Sequence, residues 1–135
     1  MFIDGSVLLA MMTDEEAARE FARRMQASTV RLTSPMTVAR TTLALVAELE
    51  IPVDEASEAV ATFLQLMNIQ SVAVPPRAAS LAVEAYSNFG KNDNFGKGGA
   101  GLSLDDCLTY ACAKYYRQPL LFSGNGFAAT DMEAA

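Results

Sequence analysis

The stretch Met1-Phe2-Ile3-Asp4-Gly5-Ser6 is a short apolar run that ends in an aspartate and a turn, and it predicts a buried strand that stops at Asp4. A second stretch, Ser103-Leu104-Asp105-Asp106-Cys107, predicts a helix start and leads into another apolar run at residues 119–122. In a parallel α/β sheet, the carboxyl ends of strands and the starts of the following helices share one edge, where ligands bind. The sequence therefore predicts that Asp4 and Asp106 meet at that edge.

Strand-like and helix-like patterns alternate along the chain. Runs rich in β-branched residues at 29–33 and near 71–74 predict two further strands. Thr13 is expected to be an N-cap, and the tail from Thr130 is expected to fray. Apolar residues at helical spacing predict helices over residues 6–12, 14–26, 35–50, 54–67, 76–88 and 104–117. The alternation predicts one α/β domain over residues 1–135, three-layered, with a mainly parallel central sheet of four or five strands flanked by helices.

The helix over residues 35–50 carries more apolar residues than one face needs. Its inward stripe is expected to comprise Ala39, Leu43, Val46 and Leu49. Leu45 lies off that stripe. Surplus apolar surface of this kind is typically buried by a partner, so the pattern favours a homodimer.

The composition excludes several kinds of chemistry. The chain has no histidine, which excludes histidine-based catalytic triads and histidine-ligated zinc. Its two cysteines, Cys107 and Cys112, do not form a CxxC motif. Any metal would have to be held by oxygen ligands, which favours Mg²⁺ or Mn²⁺. With a net charge of −6, contact with nucleic acid is expected to be local or metal-mediated, because broad nucleic-acid-binding surfaces are usually basic.

The sequence also bears on location. No apolar stretch approaches the ~18 residues of a membrane span, and no basic residue precedes the apolar N-terminus, so it lacks the charged start of a secretory signal. Two free thiols suit a reducing compartment. A cytoplasmic protein without membrane contact is the expectation.

Several stretches carry a family resemblance. They are residues 1–6, residues 102–107 with Tyr110-Ala111, and Pro119-Leu120-Leu121-Phe122-Ser123-Gly124-Asn125-Gly126-Phe127 with Thr130-Asp131, together with the helix start Ser34-Pro35 and the loop Phe89-Gly90-Lys91. In this order, over nearly the whole chain, they resemble the VapC branch of PIN-domain ribonucleases, the toxins of toxin–antitoxin pairs. The resemblance implies a Mg²⁺- or Mn²⁺-dependent endoribonuclease that cleaves RNA with a metal-activated water. It also implies a homodimer that a small protein antitoxin holds inactive.

The resemblance further implies four acidic positions, of which this chain keeps two. Asp4 matches the first position and Asp106 the third, and both are expected to be catalytic metal ligands. The second position is occupied by Arg40 and the fourth by Gly126. These departures imply impaired cleavage. The alternative is a catalytically inactive homologue that retains dimer and antitoxin binding.

Other residues are candidates for supporting roles. Asp131 matches an auxiliary aspartate of the family, and Asn125 lies beside the missing fourth acid, although an Asn-Gly pair is also typical of a tight turn. Arg40 could pair with the aspartates and compete with the metal, or it could contact the scissile phosphate. Lys91 and Lys97 are weaker candidates for contact with the RNA backbone.

Each aspartate also has a purely structural interpretation. Asp4 could be the N-cap of the helix that follows it, and Asp106 could complete a capping box with Ser103. Asp105 is expected to interact with the helix dipole. The sequence leaves these interpretations open beside the catalytic ones.

Overall fold

A four-stranded parallel sheet forms the centre of the computed structural model, which describes residues 1–90 and 101–135. Its strands are very short and are ordered β3-β2-β1-β4. They comprise β1 (Phe2–Ile3), β2 (Leu32–Thr33), β3 (Gln70–Ser71) and β4 (Leu120–Leu121). All three neighbouring pairs are parallel, which confirms the expected sheet and places all strand ends of one kind along one edge.

Six helices flank the sheet in the described parts of the chain. They are α1 (Gly5–Thr13), α2 (Glu15–Met25), α3 (Pro35–Leu49), α4 (Val53–Leu66), α5 (Ala78–Phe89) and α6 (Leu104–Tyr115). None of them combines the length and apolar character that a membrane crossing requires. The expected α/β class and the approximate positions of the helices are confirmed.

The start of α2 differs from the prediction. Asp14, not Thr13, is its N-cap, and the Asp14 side chain accepts hydrogen bonds from the backbone N–H groups of Glu16 and Ala17. Thr13 belongs to α1 and donates its hydroxyl hydrogen to the carbonyl of Leu9 at 2.8 Å. Both residue types are good N-caps, so composition alone did not decide which one begins the helix.

Alternate strand residues face opposite sides of the sheet, and this creates two cores. Phe2 and Leu120 pack with α5 and α6, while Ile3 and Leu121 pack with α1 and α2. All four side chains are fully buried, and burial of each such side chain stabilises the fold by about 1.5–3 kcal/mol. A third cluster, around Leu45, joins α3 to α4. The result is the expected arrangement of helices on both faces of the sheet.

The predicted inward stripe of α3 is largely wrong. The buried residues of α3 are Thr37, Thr41, Thr42 and Leu45. Leu43 is instead 61% exposed and Leu49 is 47% exposed. The inward face of α3 is rich in threonines, so the apolar pattern pointed to the opposite side of the helix.

The C-terminal segment is attached to the sheet. The prediction that it frays is therefore wrong. The N–H of Leu120 donates to the carbonyl of Glu133, and the N–H of Ala135 donates to the carbonyl of Leu120, both at 2.9 Å. Asp131 fastens the segment to α6, because its carboxylate accepts hydrogen bonds from the Tyr110 hydroxyl at 2.5 Å and from the Lys114 ammonium at 3.0 Å.

We expect Tyr110→Phe to loosen this segment. The substitution keeps the ring but removes a hydrogen bond to a carboxylate, which should lower the free energy of unfolding by about 1–2 kcal/mol. Hydrogen exchange should speed up at the amide of Ala135. Tyr115→Phe is the matched control, because its ring is 44% exposed. Equal exchange rates in wild type and Tyr110→Phe would show that the hydrogen bond from Tyr110 to Asp131 does not hold the segment.

Candidate active site

A cavity of about 240 Å³ opens at the edge of the sheet where β1 ends. Its charged lining residues are Asp4, Arg40, Asp105 and Asp106. Asp4 follows β1 and Arg40 lies on α3, whereas both Asp105 and Asp106 lie in the first turn of α6. The structure therefore brings Asp4 and Asp106 together at one edge, as the alternation of strands and helices predicts.

Asp4 is held in place by its neighbours along the chain. It is the N-cap of α1, and its Oδ2 atom accepts hydrogen bonds from the Ser6 backbone N–H at 3.0 Å and from the Ser6 hydroxyl at 2.5 Å. The Ser6 hydroxyl oxygen in turn accepts from the N–H of Ser123 at 3.0 Å. The loop after β4 is thereby tied to the same corner of the cavity. Sequence reasoning missed Ser6, although its position two residues after a strand-ending aspartate is a usable signal.

Burial raises the pKa of the Asp4 carboxyl above its usual value, and the nearby carboxylate of Asp106 raises it further. The hydrogen bonds from Ser6 act in the opposite direction but do not cancel the effect of burial. The ionised form of Asp4 is thus incompletely compensated by the protein, and a cation would stabilise it.

Asp106 is fixed by the start of α6. Its backbone N–H donates to the Ser103 hydroxyl oxygen at 3.2 Å, and its Oδ2 atom accepts from the Ser103 N–H at 3.0 Å. This reciprocal pair is the capping box that the sequence offered as the structural interpretation of Asp106. An ionised carboxylate has about four acceptor sites on two oxygens, so capping and cation binding are compatible in both aspartates.

Arg40 forms an ion pair with Asp105 at the mouth of the cavity. Within residues 1–90 and 101–135 it has no ion pair with Asp4 or Asp106. The side chains of Arg40 and Asp105 are 56% and 45% exposed, and a pair exposed to this degree typically contributes only about 0–1 kcal/mol. Arg40 therefore pairs with Asp105, the residue next to the expected ligand Asp106.

The structure places Asp131 away from this cavity. It lines a second cavity of about 260 Å³ with Tyr110 and Lys114. Those two residues hold its carboxylate, and the hydrogen bond from Tyr110, more than the cation of Lys114, keeps the pKa of Asp131 below its usual value. Asp131 therefore links the C-terminal segment to α6. It has no hydrogen bond to Asp4 or Asp106 within the described residues.

The region of the missing fourth acid is an exposed turn. Asn125 accepts a hydrogen bond from the N–H of Ala128 at 3.1 Å through its backbone carbonyl, in keeping with the turn that the Asn-Gly pair favours. A Cβ atom at Gly126 would meet nothing within 4 Å, so a larger side chain fits there. Lys91 and Lys97, the candidates for RNA contact, lie outside the described residues.

The two cysteines take no part in the site. Both are buried in the core formed with α5 and α6. Burial raises the pKa of Cys107 and of Cys112 to about 11, so both are protonated and poorly nucleophilic near neutral pH.

Thr41 is a residue of the cavity that sequence reasoning missed. Thr41 lines the cavity, although the residue is only 2% exposed. Its hydroxyl oxygen is buried and has no hydrogen-bond partner among the described residues. The only signal in the sequence is its i, i+4 spacing from Thr37, which puts both threonines on one face of α3.

The donor set fits a hard divalent cation bound partly through water. No group of three His, Cys, Asp or Glu residues in the described segments is placed to hold a metal together. Mg²⁺ is commonly bound through one or two carboxylates and several waters, which is what Asp4 and Asp106 offer. Thr41, whose buried hydroxyl has no hydrogen-bond partner among the described residues, is a further residue of the same cavity.

The protein is a parallel α/β domain with two aspartates in one cavity at the carboxyl edge of its sheet. The chain belongs to the PIN-domain family, whose model matches residues 1–132. It is 36% identical over 132 residues to ribonuclease VapC30 of Mycobacterium tuberculosis, covering 98% of this chain and 95% of the relative. It is 34% identical to ribonuclease VapC of Mycolicibacterium smegmatis, covering 99% and 98%, and 30% identical to a VapC ribonuclease of Rhizobium meliloti, covering 97% and 98%.

Proposed function

We propose that the chain is a VapC-type endoribonuclease whose cleavage of RNA depends on Mg²⁺ or Mn²⁺ held by Asp4 and Asp106. The observation that carries the proposal is the shared cavity of these two carboxylates at the carboxyl edge of the sheet. The relatives named VapC ribonucleases, which match nearly the full chain, support the same activity.

The chain's own residues would bind and orient the reactants. A bound Mg²⁺ or Mn²⁺ supplies an activated water and stabilises charge on the phosphate. Asp4 and Asp106 are held in fixed orientations by Ser6 and by the capping box with Ser103. Both aspartates lie at helix N-termini, whose positive ends favour a phosphate group.

Arg40 places a permanent positive charge where the family has an acid. Its pairing with Asp105 keeps the guanidinium away from the two proposed ligands, yet its charge still lowers the attraction of the cavity for a cation. A weak metal site and impaired cleavage follow from this charge and from the absence of a carboxylate at Gly126. A catalytically inactive homologue that keeps its binding surfaces is the second candidate, favoured by the lack of a three-acid cluster in the described residues.

The proposed partners are an RNA substrate, a small protein antitoxin and a second copy of the chain. For the homodimer, the support is an apolar groove between α3 and α4, lined by Val38, Leu43, Ala61 and Leu64 among others. Leu43 is 61% exposed there, and exposed apolar surface of this kind marks an interaction site. A cytoplasmic location completes the proposal, since two buried free thiols suit a reducing compartment.

The metal ligands can be tested by charge removal. Asp4→Asn and Asp106→Asn should each lower Mn²⁺ affinity by more than roughly tenfold, because losing a ligand costs more than losing an outer-shell partner. EDTA-sensitive RNA cleavage should fall with it. Asp14→Asn is the matched control, since it removes one charge at another N-cap and asparagine caps equally well. Unchanged calorimetric affinity in Asp106→Asn would remove Asp106 from the site.

The two departures from the family pattern can be reversed together. Arg40→Glu with Gly126→Asp should raise EDTA-sensitive cleavage of a structured RNA by roughly tenfold or more. Each single change should do less, because ligands that share an ion are coupled. Arg40→Gln with Gly126→Asn is the control without the new charges. A double variant as inert as the wild type would favour the inactive binding homologue, and loss of existing activity in Arg40→Glu alone would assign Arg40 to the phosphate.

The homodimer can be tested on α3. Leu43→Lys should raise the dimer dissociation constant by more than about tenfold, because an unpaired ammonium would have to be desolvated in the interface. Light scattering at micromolar protein should give twice the mass of one chain for wild type and one mass for the variant. Val83→Lys on α5, where the side chain is 68% exposed, should stay dimeric. A monomeric wild type would refute the dimer.

A further inference from the structure

Thr41 differs from the other helical threonines whose bonds are defined. Thr13 and Thr42 donate their hydroxyl hydrogens to the carbonyls of Leu9 and Val38, four residues earlier, each at 2.8 Å. This back-bonding is the usual way in which a helical threonine satisfies its hydroxyl. The Thr41 hydroxyl makes no such bond, although its atom is buried and the residue is 2% exposed.

The position of the Thr41 hydroxyl is defined by the junction of α1 and α3. A Cβ atom added at Gly5 would lie 3.1 Å from the Thr41 Oγ1 atom, which is tighter than an ordinary contact. Gly5 directly follows Asp4, so the hydroxyl lies close to the chain at the proposed metal ligand. The same cavity is lined by Asp4, Asp106 and Thr41.

An unpaired buried hydroxyl is unfavourable, since no hydrogen bond offsets the loss of its contact with water. Native proteins satisfy nearly all such groups, and an exception calls for a bound water, ion or ligand. A water suits a site that offers two to four polar partners. Asp4 and Asp106 line the same cavity as Thr41, and their carboxylates are suitable acceptors for such a water.

We propose that the Thr41 hydroxyl is a positioning group that hydrogen-bonds a water in the hydration shell of the divalent cation bound by Asp4 and Asp106. The cavity volume of about 240 Å³ exceeds several times the ~30 Å³ that one water occupies in the liquid, so it has room for a partly hydrated ion. The inference rests on the proposed metal site and adds a neutral oxygen to it. A hydroxyl that binds one of the ion's waters matters most in a site with only two carboxylates, because an ion bound there keeps more of its waters.

Thr41→Val is the test, because it exchanges the hydroxyl for a methyl group of similar shape. Without metal, in EDTA, the variant should melt roughly 2–8 °C above wild type, since it removes an unpaired buried polar group. With Mn²⁺, calorimetry should show an affinity lower by about 3- to 10-fold, the value of one hydrogen bond. Thr41→Ser, which restores a hydroxyl, should recover most of the affinity.

Thr42→Val is the matched control on the next residue of α3. It removes a hydroxyl that already has a partner, the Val38 carbonyl, so it should melt below wild type and bind Mn²⁺ as wild type does. Opposite shifts in melting temperature for two adjacent, chemically identical substitutions would be hard to explain by general packing.

The possible failures can be told apart. If wild type binds Mn²⁺, Asp106→Asn does not, and Thr41→Val binds as tightly as wild type, the role of Thr41 is overturned while the metal site stands. If wild type itself binds no Mn²⁺, both the metal site and the role of Thr41 fall. If Thr41→Val melts below wild type in EDTA, its hydroxyl has a partner within the protein and the inference is wrong.

Discussion

The hydrogen bond from the Asp4 N–H to the Leu121 carbonyl, 3.0 Å long, fixes the end of β1 against the end of β4. It continues a ladder in which the Phe2 N–H donates to Pro119 at 2.8 Å. Because β1 is also paired with β2 on its other side, Asp4 cannot shift without breaking the centre of the sheet. The strands are only two residues long, so each of these bonds carries a large share of the pairing. Parallel pairing then forces α6, which precedes β4, to begin at the same edge.

The charges of the cavity follow from this geometry. Two unit charges about 4 Å apart interact by about 4 kcal/mol at the effective dielectric of a protein surface, so clustered carboxylates need compensation. Arg40 supplies it to Asp105, whose side chain is 45% exposed. Burial of its carboxyl and the neighbouring carboxylate of Asp106 raise the pKa of Asp4, and Arg40 forms no ion pair with Asp4 within residues 1–90 and 101–135. A cation in the cavity would compensate Asp4, and the positive charge of Arg40 would weaken the proposed cation site without occupying it.

The sequence predicted the elements that depend on local pattern and chain order. The apolar run before Asp4, the capping box at Ser103 and the alternation of strands with helices were enough to predict the sheet and the meeting of Asp4 with Asp106. The prediction for the inward face of α3 was wrong. That face is rich in threonines, and a search for apolar residues at helical spacing does not detect them. The C-terminal segment is anchored by the hydrogen bond between Tyr110 and Asp131. These residues are far apart in the sequence, so local propensity does not predict their contact. The partner of Arg40 was equally unpredictable, since three aspartates compete for it within one cavity.

Helix α3 contributes to both the proposed catalytic site and the proposed dimer surface, and it does so with different faces. The inner face of α3 gives Thr37 and Thr41 to the cavity, while Leu43 lies in the apolar groove on the side of α4. Arg40 is itself half exposed at the mouth, so an acid or an arginine can occupy its position without disturbing the core around Leu45. Gly126 is in an open turn where a side chain meets nothing nearby. An exchange at Arg40 therefore alters the charge of the cavity, and an exchange at either position meets no packed neighbour in the core or the groove. Packing therefore does not require a carboxylate at either position, since one is half exposed and the other is in an open turn.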